Sequence, residues 1–382
     1  MNILKVVEQE KETLLRHKML FSSIPEIGFN EYKTSQFICN ELKEYGYNVI
    51  SNISGTGVLG VLEGNNSEWD ECILFRADMD ALVIQDENGN EKISHVCGHD
   101  AHMAIILALA RIIARNKDNL KGNIKFLFQP AEETMGGAVQ MISNNVLENP
   151  KVTKAFGIHV WSEFKVGEIA INHGPVMAGG DELSIDVIGK GGHGALPESA
   201  IDTIIIASNI VNAFQTIISR NINPLEHAVI SIGTINGGKS KNSIAELTKI
   251  TGTCRYYSEE IQALMINRIE SIALGYAKSF GGNAKVKYVK KHPPLNNWKE
   301  EVDVVKKIAK DIVGRSNVIE EYRSMCVEDF SYYLKEVPGC FIFLGCRDGM
   351  YYPQHNNNYY VADDALIIGL QLLYNIALNY LF

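Results

Sequence analysis

Apolar and polar positions along this 382-residue chain follow two regimes that change near residue 180. In the first, helical and strand periods alternate. Residues 3–20 and 31–44 carry helical spacing, whereas Val58–Leu62 and Cys72–Arg76 are short apolar runs of strand length. From Met103 to Asn116, Ile105, Ile106, Leu109, Ile112 and Ile113 recur at the helical period. A strand at Ile124–Phe128, a helix near Gly137–Asn145 and a strand at Ala155–His159 follow. Such alternation predicts an α/β sheet covered by helices on both faces. Ligands of such sheets gather outside the carboxyl ends of the strands.

The second regime opens with Leu183-Ser184-Ile185-Asp186-Val187-Ile188, which alternates like a half-exposed antiparallel strand. A helix (Ala200–Asn221), strands at His227–Ile232 and Leu247–Tyr257, a helix (Glu259–Phe280) and a strand at Ala284–Val289 follow. That order matches the ferredoxin-like split βαβ unit. Pro293-Pro294 breaks the chain, and α/β character returns: helices 299–313 and 327–335, a strand at Cys340–Leu344 and a last helix 362–380. The expectation is one discontinuous α/β domain, 1–179 and 292–382, interrupted by an α+β insert at 180–291. No internal repeat or low-complexity segment is visible.

Composition narrows the class. Apolar residues make up 46% of the chain, enough for real cores. A net charge of −9 and a pI near 5.6, without a basic run, argue against a nucleic-acid partner. No uninterrupted apolar stretch reaches the roughly 18 residues of a membrane span, so no membrane partner is expected. The start, Met1-Asn2-Ile3-Leu4-Lys5-Val6-Val7-Glu8, turns acidic before a signal-peptide core could form, and a cytoplasmic location is expected. Seven scattered cysteines, an odd number, fit reduced thiols better than a disulfide framework.

The chemistry concentrates in His95-Val96-Cys97-Gly98-His99-Asp100-Ala101-His102. Imidazole and thiolate are ligands for zinc and similar divalent ions. Cys97 and His99 stand just before a strong helix pattern, on a strand-to-helix loop where sites form. His102 alone reads as a core histidine, and His95 as a residue that orients the cluster. Further donors end apolar runs: Glu132-Glu133, His159 and, late in the chain, His355. Together they predict a metal centre assembled from separate loops on one sheet. Taken alone, Glu132-Glu133 could equally be an acidic pair at a helix start.

The chain resembles the amidohydrolase branch of the dinuclear aminoacylase and carboxypeptidase superfamily, which includes hippurate hydrolases, N-acyl-amino-acid deacylases and auxin-conjugate hydrolases. The resemblance spans nearly the whole length. It rests on seven motifs in order: Pro25-Glu26-Ile27-Gly28 with Glu31, Arg76-Ala77-Asp78-Met79-Asp80-Ala81, Cys97-Gly98-His99-Asp100-Ala101-His102, Gln129-Pro130-Ala131-Glu132-Glu133, Gly157-Ile158-His159, Gly189-Lys190-Gly191-Gly192-His193, and Glu328-Asp329-Phe330 with Pro338-Gly339, followed by His355.

The resemblance implies a zinc-exopeptidase-like catalytic domain with a mixed sheet and flanking helices, interrupted by a ferredoxin-like lid and dimerisation domain. It implies two divalent metal ions per chain (Zn, Mn, Co or Ni), with Cys97, His99, Glu133, His159 and His355 as ligands and the Cys97 thiolate between them. Glu132 would be the general base in hydrolysis of an N-acyl amino acid. A carboxylate beside a ligand can take the water's proton and return it to the leaving amine. His193 and Asn242 would face the scissile carbonyl, His193 from its own or a partner subunit, and Arg255 would pair with the substrate carboxylate. Without the resemblance these three read as a lid-surface His, a turn Asn and a solvated strand Arg. A homodimer or higher homo-oligomer through the insert is implied as well.

Four positions depart from the family pattern: Ser22 replaces a His, and Val83, Ala245 and Thr203 each replace a Pro. None is a ligand position; they bear on substrate choice. Two other classes of protein compete with the hydrolase reading. Gly233-Thr234-Ile235-Asn236-Gly237-Gly238-Lys239-Ser240 matches a nucleotide-binding P-loop literally, although Leu247–Tyr257 downstream is strand-like where a helix is needed. A catalytically silent metal-binding relative is the other, and the intact Glu132 speaks against it.

Overall fold

The computed structural model describes residues 3–66, 69–86, 88–134 and 136–382. The chain divides into two compact units. The first comprises Met1–Gly174, Asn296–Tyr322 and Asp329–Phe382, and the second Pro175–Leu295 with Arg323–Glu328.

The first unit is built on an eight-stranded mixed sheet. Its strand order is Asn48–Ile53, Gly57–Leu62, Asn123–Gln129, Cys72–Asp78, Lys154–Lys165, Gly339–Arg347, Ile169–Ala170 and Val318–Ile319. The central strands Asn123–Gln129, Cys72–Asp78, Lys154–Lys165 and Gly339–Arg347 run parallel. Every residue of Cys72–Asp78 is buried, as expected for a strand covered on both faces. Helix His99–Arg115 is buried almost all round and packs against helices Ile3–Ser23 and Asp363–Leu381. The last of these is long and apolar enough to cross a membrane by composition. It is a core helix here, with Leu366, Leu370, Leu373, Tyr374 and Ile376 buried. A side chain at Gly369 would come within 2.9 Å of Ile105 and Leu344, so glycine is what lets this helix approach.

Among the strand features not legible in the apolar pattern are Asn48–Ile53 and the hairpin Leu82–Gln85 with Glu91–Ser94. Both lie largely at the surface, where the apolar period is weak. The expected helix 327–335 shrinks to Ser331–Glu336. The Asp329 carboxylate before it is committed to Arg76, Gln129 and the Ala138 amide.

The second unit is a four-stranded antiparallel sheet in the order Ala228–Gly237, Leu247–Tyr256, Gly179–Ile188, Asn283–His292. Leu183, Ile185 and Val187 alternate inward and share a core with Ile206, Ile210, Phe214 and Ile217 of helix Thr203–Asn221 and Met265 and Ile269 of helix Glu259–Ser279. This is the split βαβ arrangement. Gly233–Ser240 is no P-loop. It runs along an edge strand into a turn, and the chain continues as Ser243–Ile244 and then strand Leu247–Tyr256. No helix N-terminus follows it to hold phosphates.

Two of the four departures meet in this unit. The Thr203 hydroxyl lies 3.0 Å from the Ala245 carbonyl and 2.8 Å from the Thr248 hydroxyl, in a buried position. Asp202 caps the same helix end, accepting from the amides of Ile204 and Ile205. Thr203→Val should cost about 1–3 kcal/mol through polar partners left buried, read as a lower melting temperature. A melting temperature unchanged within error would show that these hydrogen bonds are not what holds this helix start.

Candidate metal centre

The carboxyl ends of the parallel strands converge on one cluster of donors in the first unit. Strand Cys72–Asp78 delivers Asp78 and, two residues on, Asp80. The loop after Asn123–Gln129 carries Glu132 and Glu133, strand Lys154–Lys165 carries His159, and Cys97 and His99 flank the start of helix His99–Arg115. His355 comes from the loop before the last helix, its amide 2.8 Å from the Val96 carbonyl. Gly98 holds φ +90°, and a Cβ there would lie 2.3 Å from Val160. The turn that presents Cys97 and His99 therefore requires glycine.

Among the groups of donor atoms whose members lie within 4.8 Å of one another, two contain Cys97: Cys97, His99 and His159; and Cys97, Glu133 and His355. Cys97 belongs to both. The thiol sulfur is 3.5 Å from His159 Nε2, and Glu133 Oε1 is 3.2 Å from His355 Nε2 and 3.9 Å from His99 Nε2. Glu132 lies in a further group with His99 and Glu133, and Asp78, His99 and His102 form another. The five residues expected as ligands thus lie side by side, with Glu132 beside them.

Hydrogen bonds orient the rings. His99 Nδ1 is 2.9 Å from the Asp80 carbonyl and His159 Nδ1 is 2.7 Å from the Val160 carbonyl. A backbone carbonyl only accepts, so in both rings Nδ1 carries a proton and Nε2 is the nitrogen turned to the cluster. His102 differs. Its Nδ1 lies 2.7 Å from Asp78 Oδ1, and its Nε2 accepts from the Val160 amide at 2.9 Å. Both nitrogens are committed, so His102 is a supporting residue. Buried His99 Nε2 has no hydrogen-bond partner and faces Glu133 Oε1 at 3.9 Å. A buried ring nitrogen without a partner is costly, and the set of soft thiolate, imidazole and carboxylate around it suits a divalent transition ion.

The electrostatics agree. Burial, reinforced by Glu133 and Glu132, pushes the Cys97 thiol well above its ordinary range. Burial by itself would lower His99, but Asp78, Asp80 and Glu133 overcome it and push the imidazole up to about 10. Burial opposes ionisation of Glu133, while the hydrogen bond to His355 and the neighbouring imidazoles hold its carboxyl below the usual value. Burial keeps His159 well below the ordinary histidine value.

The sequence places Asp78 at a strand end and both Asp78 and Asp80 in a family motif, but assigns neither a specific role. Asp80 Oδ2 accepts the Glu133 amide at 2.9 Å and its Oδ1 lies 3.3 Å from His99 Nδ1. Asp78 ties His102 to Arg76, whose Nη2 reaches Asp329 at 2.8 Å. The available signal was a largely apolar strand, broken only by Arg76, that ends in two carboxylates spaced by two. His193, Asn242 and Arg255 lie in the second unit. His193 and Ser243 pair across a two-residue ladder, and Asn242 adjoins it, its carbonyl accepting from the Gly194 amide. Arg255 is half-buried on strand Leu247–Tyr256, its guanidinium donating to the Cys254 carbonyl.

The sequence pattern of Peptidase family M20/M25/M40 matches residues 74–379. The chain belongs to this family. It is similar to an N-acetyl-L-cysteine deacetylase of Bacillus subtilis, 34% identical over 98% of this chain and 89% of the relative. It is also similar to a hippurate hydrolase of Campylobacter jejuni, 35% identical over 94% of both chains. Among solved structures, the Bacillus subtilis YXEP protein, a dinuclear metal binding peptidase from the M20 family, superposes with a TM-score of 0.85 at 27% identity over 97% of this chain and 98% of its own.

Because Cys97 and His99 hold protons that a cation must displace, metal binding to this M20 chain should acidify the medium. Zinc titrated calorimetrically at pH 7 in buffers of different ionisation heat should report release of about two protons per chain. Binding heats independent of the buffer would exclude these residues as ligands.

Proposed function

We propose that this protein hydrolyses the amide bond of N-acyl amino acids or related small peptide-like substrates, dependent on two divalent metal ions. The observation that carries the reading is the pair of donor groups sharing Cys97, with Glu132 alongside. Cys97, His99 and His159 would hold one ion, and Cys97, Glu133 and His355 the other. Bound there, the ions would supply Lewis acidity and make a water acidic enough to react near neutral pH.

Glu132 is the general base. Its carboxylate takes a proton from the attacking water, whose oxygen bonds to the amide carbonyl carbon. As the carbon–nitrogen bond breaks, Glu132 returns the proton to the leaving nitrogen, giving a carboxylate and a free amine. His193 and Asn242 polarise and orient the carbonyl. Arg255 pairs with the substrate's α-carboxylate, for which its planar fork is suited. The insert is assigned a second role as the dimerisation unit, and the preferred subunit state is a homo-oligomer. Relatives that act on N-acetyl-L-cysteine and hippurate support the substrate class.

Glu132→Gln should retain both ions and lose turnover by about 100-fold or more, the scale of a lost general base. Glu133→Gln should instead shed metal, read by elemental analysis after dialysis. If the two variants lose metal and turnover alike, the division of roles between the adjacent carboxylates is wrong.

Arg255→Ala should lower kcat/KM about 10- to 150-fold for an N-acyl amino acid, the worth of one charge-assisted pair, and leave the corresponding amide nearly unchanged. Equal losses on acid and amide would assign Arg255 to the strand and not to the substrate. A panel of N-acetyl, N-benzoyl and N-succinyl amino acids with zinc, manganese, cobalt or nickel identifies the preferred acyl group.

A further inference from the structure

The loop that bears Glu132 and Glu133 begins with a backbone conformation that its sequence disfavours. Ala131 sits at φ +55°, in the left-handed region that costs a non-glycine residue about 1 kcal/mol or more. It is fully buried, so surrounding groups must hold it there. The holder comes from 100 residues earlier in the chain. Glu31 is fully buried, its Oε1 accepting the Ala131 amide at 3.0 Å and its Oε2 accepting the Thr56 hydroxyl at 2.6 Å. Thr56 is buried too, just ahead of strand Gly57–Leu62, so the carboxylate bridges a rigid strand and the loop.

A second contact acts on the same loop. A Cβ at Gly28 would lie 3.0 Å from Ala131 Cα and 2.7 Å from Thr134 Oγ1, so the turn at Gly28 packs directly on the loop backbone. Glu26 fixes that turn in turn, its carboxylate accepting the amides of Lys33 and Thr34 and the Thr34 hydroxyl. The loop is then closed from its far side by Asp80, which accepts the Glu133 amide.

We infer that Glu31, bridging Thr56 and the Ala131 amide, is a positioning residue that locks the loop conformation on which the placement of Glu132 and Glu133 depends. Glu31 touches neither substrate nor metal in this scheme. It acts by removing the alternatives open to residue 131, so that the two adjacent carboxylates keep their separate directions. A buried carboxylate with two good donors does this more firmly than packing, because any other loop path would leave one of its buried oxygens without a donor. The inference rests on the general-base and ligand roles proposed for Glu132 and Glu133.

The test compares Glu31→Ala, Glu31→Gln and Glu132→Gln in the full chain. The readouts are kcat and KM on an N-acyl amino acid, zinc affinity by competition with a chelating dye, and melting temperature. Glu31→Ala should lower kcat and zinc affinity each by about 10- to 100-fold, the range for lost supporting hydrogen bonds at metal sites, with KM little changed. Glu31→Gln keeps an acceptor for the Ala131 amide and a partner for Thr56, and should recover both to within about threefold of the natural protein, since the same two contacts persist. Introducing Ala131→Gly into Glu31→Ala should restore part of the loss, because glycine adopts positive φ unaided.

Wild-type kcat and zinc affinity in folded Glu31→Ala would overturn the inference. So would equal losses in the Ala and Gln variants, or no recovery with Ala131→Gly. If Glu31→Ala does not fold, Thr56→Val removes one arm of the bridge and carries the test, and unchanged values there overturn the inference. Glu132→Gln separates the two levels of argument. Full activity in that variant defeats the general-base reading itself, whereas its inactivity beside an unperturbed Glu31→Ala defeats only the clamp.

Discussion

The candidate centre depends on one constraint: buried carboxylates at the end of a central strand must find partners, and the partners they find are imidazoles and the backbone of the ligand loops. Asp78 and Asp80 leave strand Cys72–Asp78 where water is excluded. Their oxygens cannot be solvated, so His102, Arg76, His99 and the Glu133 amide are drawn onto them. A carboxylate isolated in this interior would cost far more than any single contact here gains. Satisfying it fixes ring tautomers, and fixed tautomers decide which nitrogens can ligate.

The neighbouring network extends the same logic across the sheet. Arg76 reaches Gln129 and Asp329 as well as Asp78, and Tyr333 donates to Gln129. These groups come from two adjacent parallel strands and from the segment after Asn317. The donor cluster therefore sits on elements that cannot shift independently, which is what a centre requiring sub-ångström placement needs. Around the cluster this network leaves His99 Nε2 and Asp80 Oδ1 without a hydrogen-bond partner.

The departures from the family pattern have local accounts where the structure explains them. Ser22 takes the place of a histidine, and its hydroxyl lies within hydrogen-bonding reach of Asp100, at the start of helix His99–Arg115, and of the Lys18 carbonyl, its one proton serving either acceptor. Thr203 and Ala245 replace two prolines that would have stiffened two segments, and a hydrogen bond between them joins the segments instead. Nothing in the structure explains Val83, which is half-exposed on the small hairpin.

The sequence alone determined whatever is periodic or locally motif-bearing. Helix His99–Arg115, the strands before Asp78 and Gln129 and the alternation of Leu183, Ile185 and Val187 are legible because burial repeats at the period of the element. The ordered motifs named Cys97, His99, Glu132, Glu133, His159 and His355, because each keeps its residue type next to a local turn or strand end. What the sequence could not carry was any fact that depends on residues far apart in the chain meeting. That His102 spends both nitrogens on support, that Asp80 backs His99 and Glu133, and that Glu31 reaches Ala131 are long-range hydrogen bonds. Periodicity reports burial and not partners, and a buried polar group takes its role from its partners alone. The tertiary structure decided which of the histidines and carboxylates face the cluster and which hold the others in place.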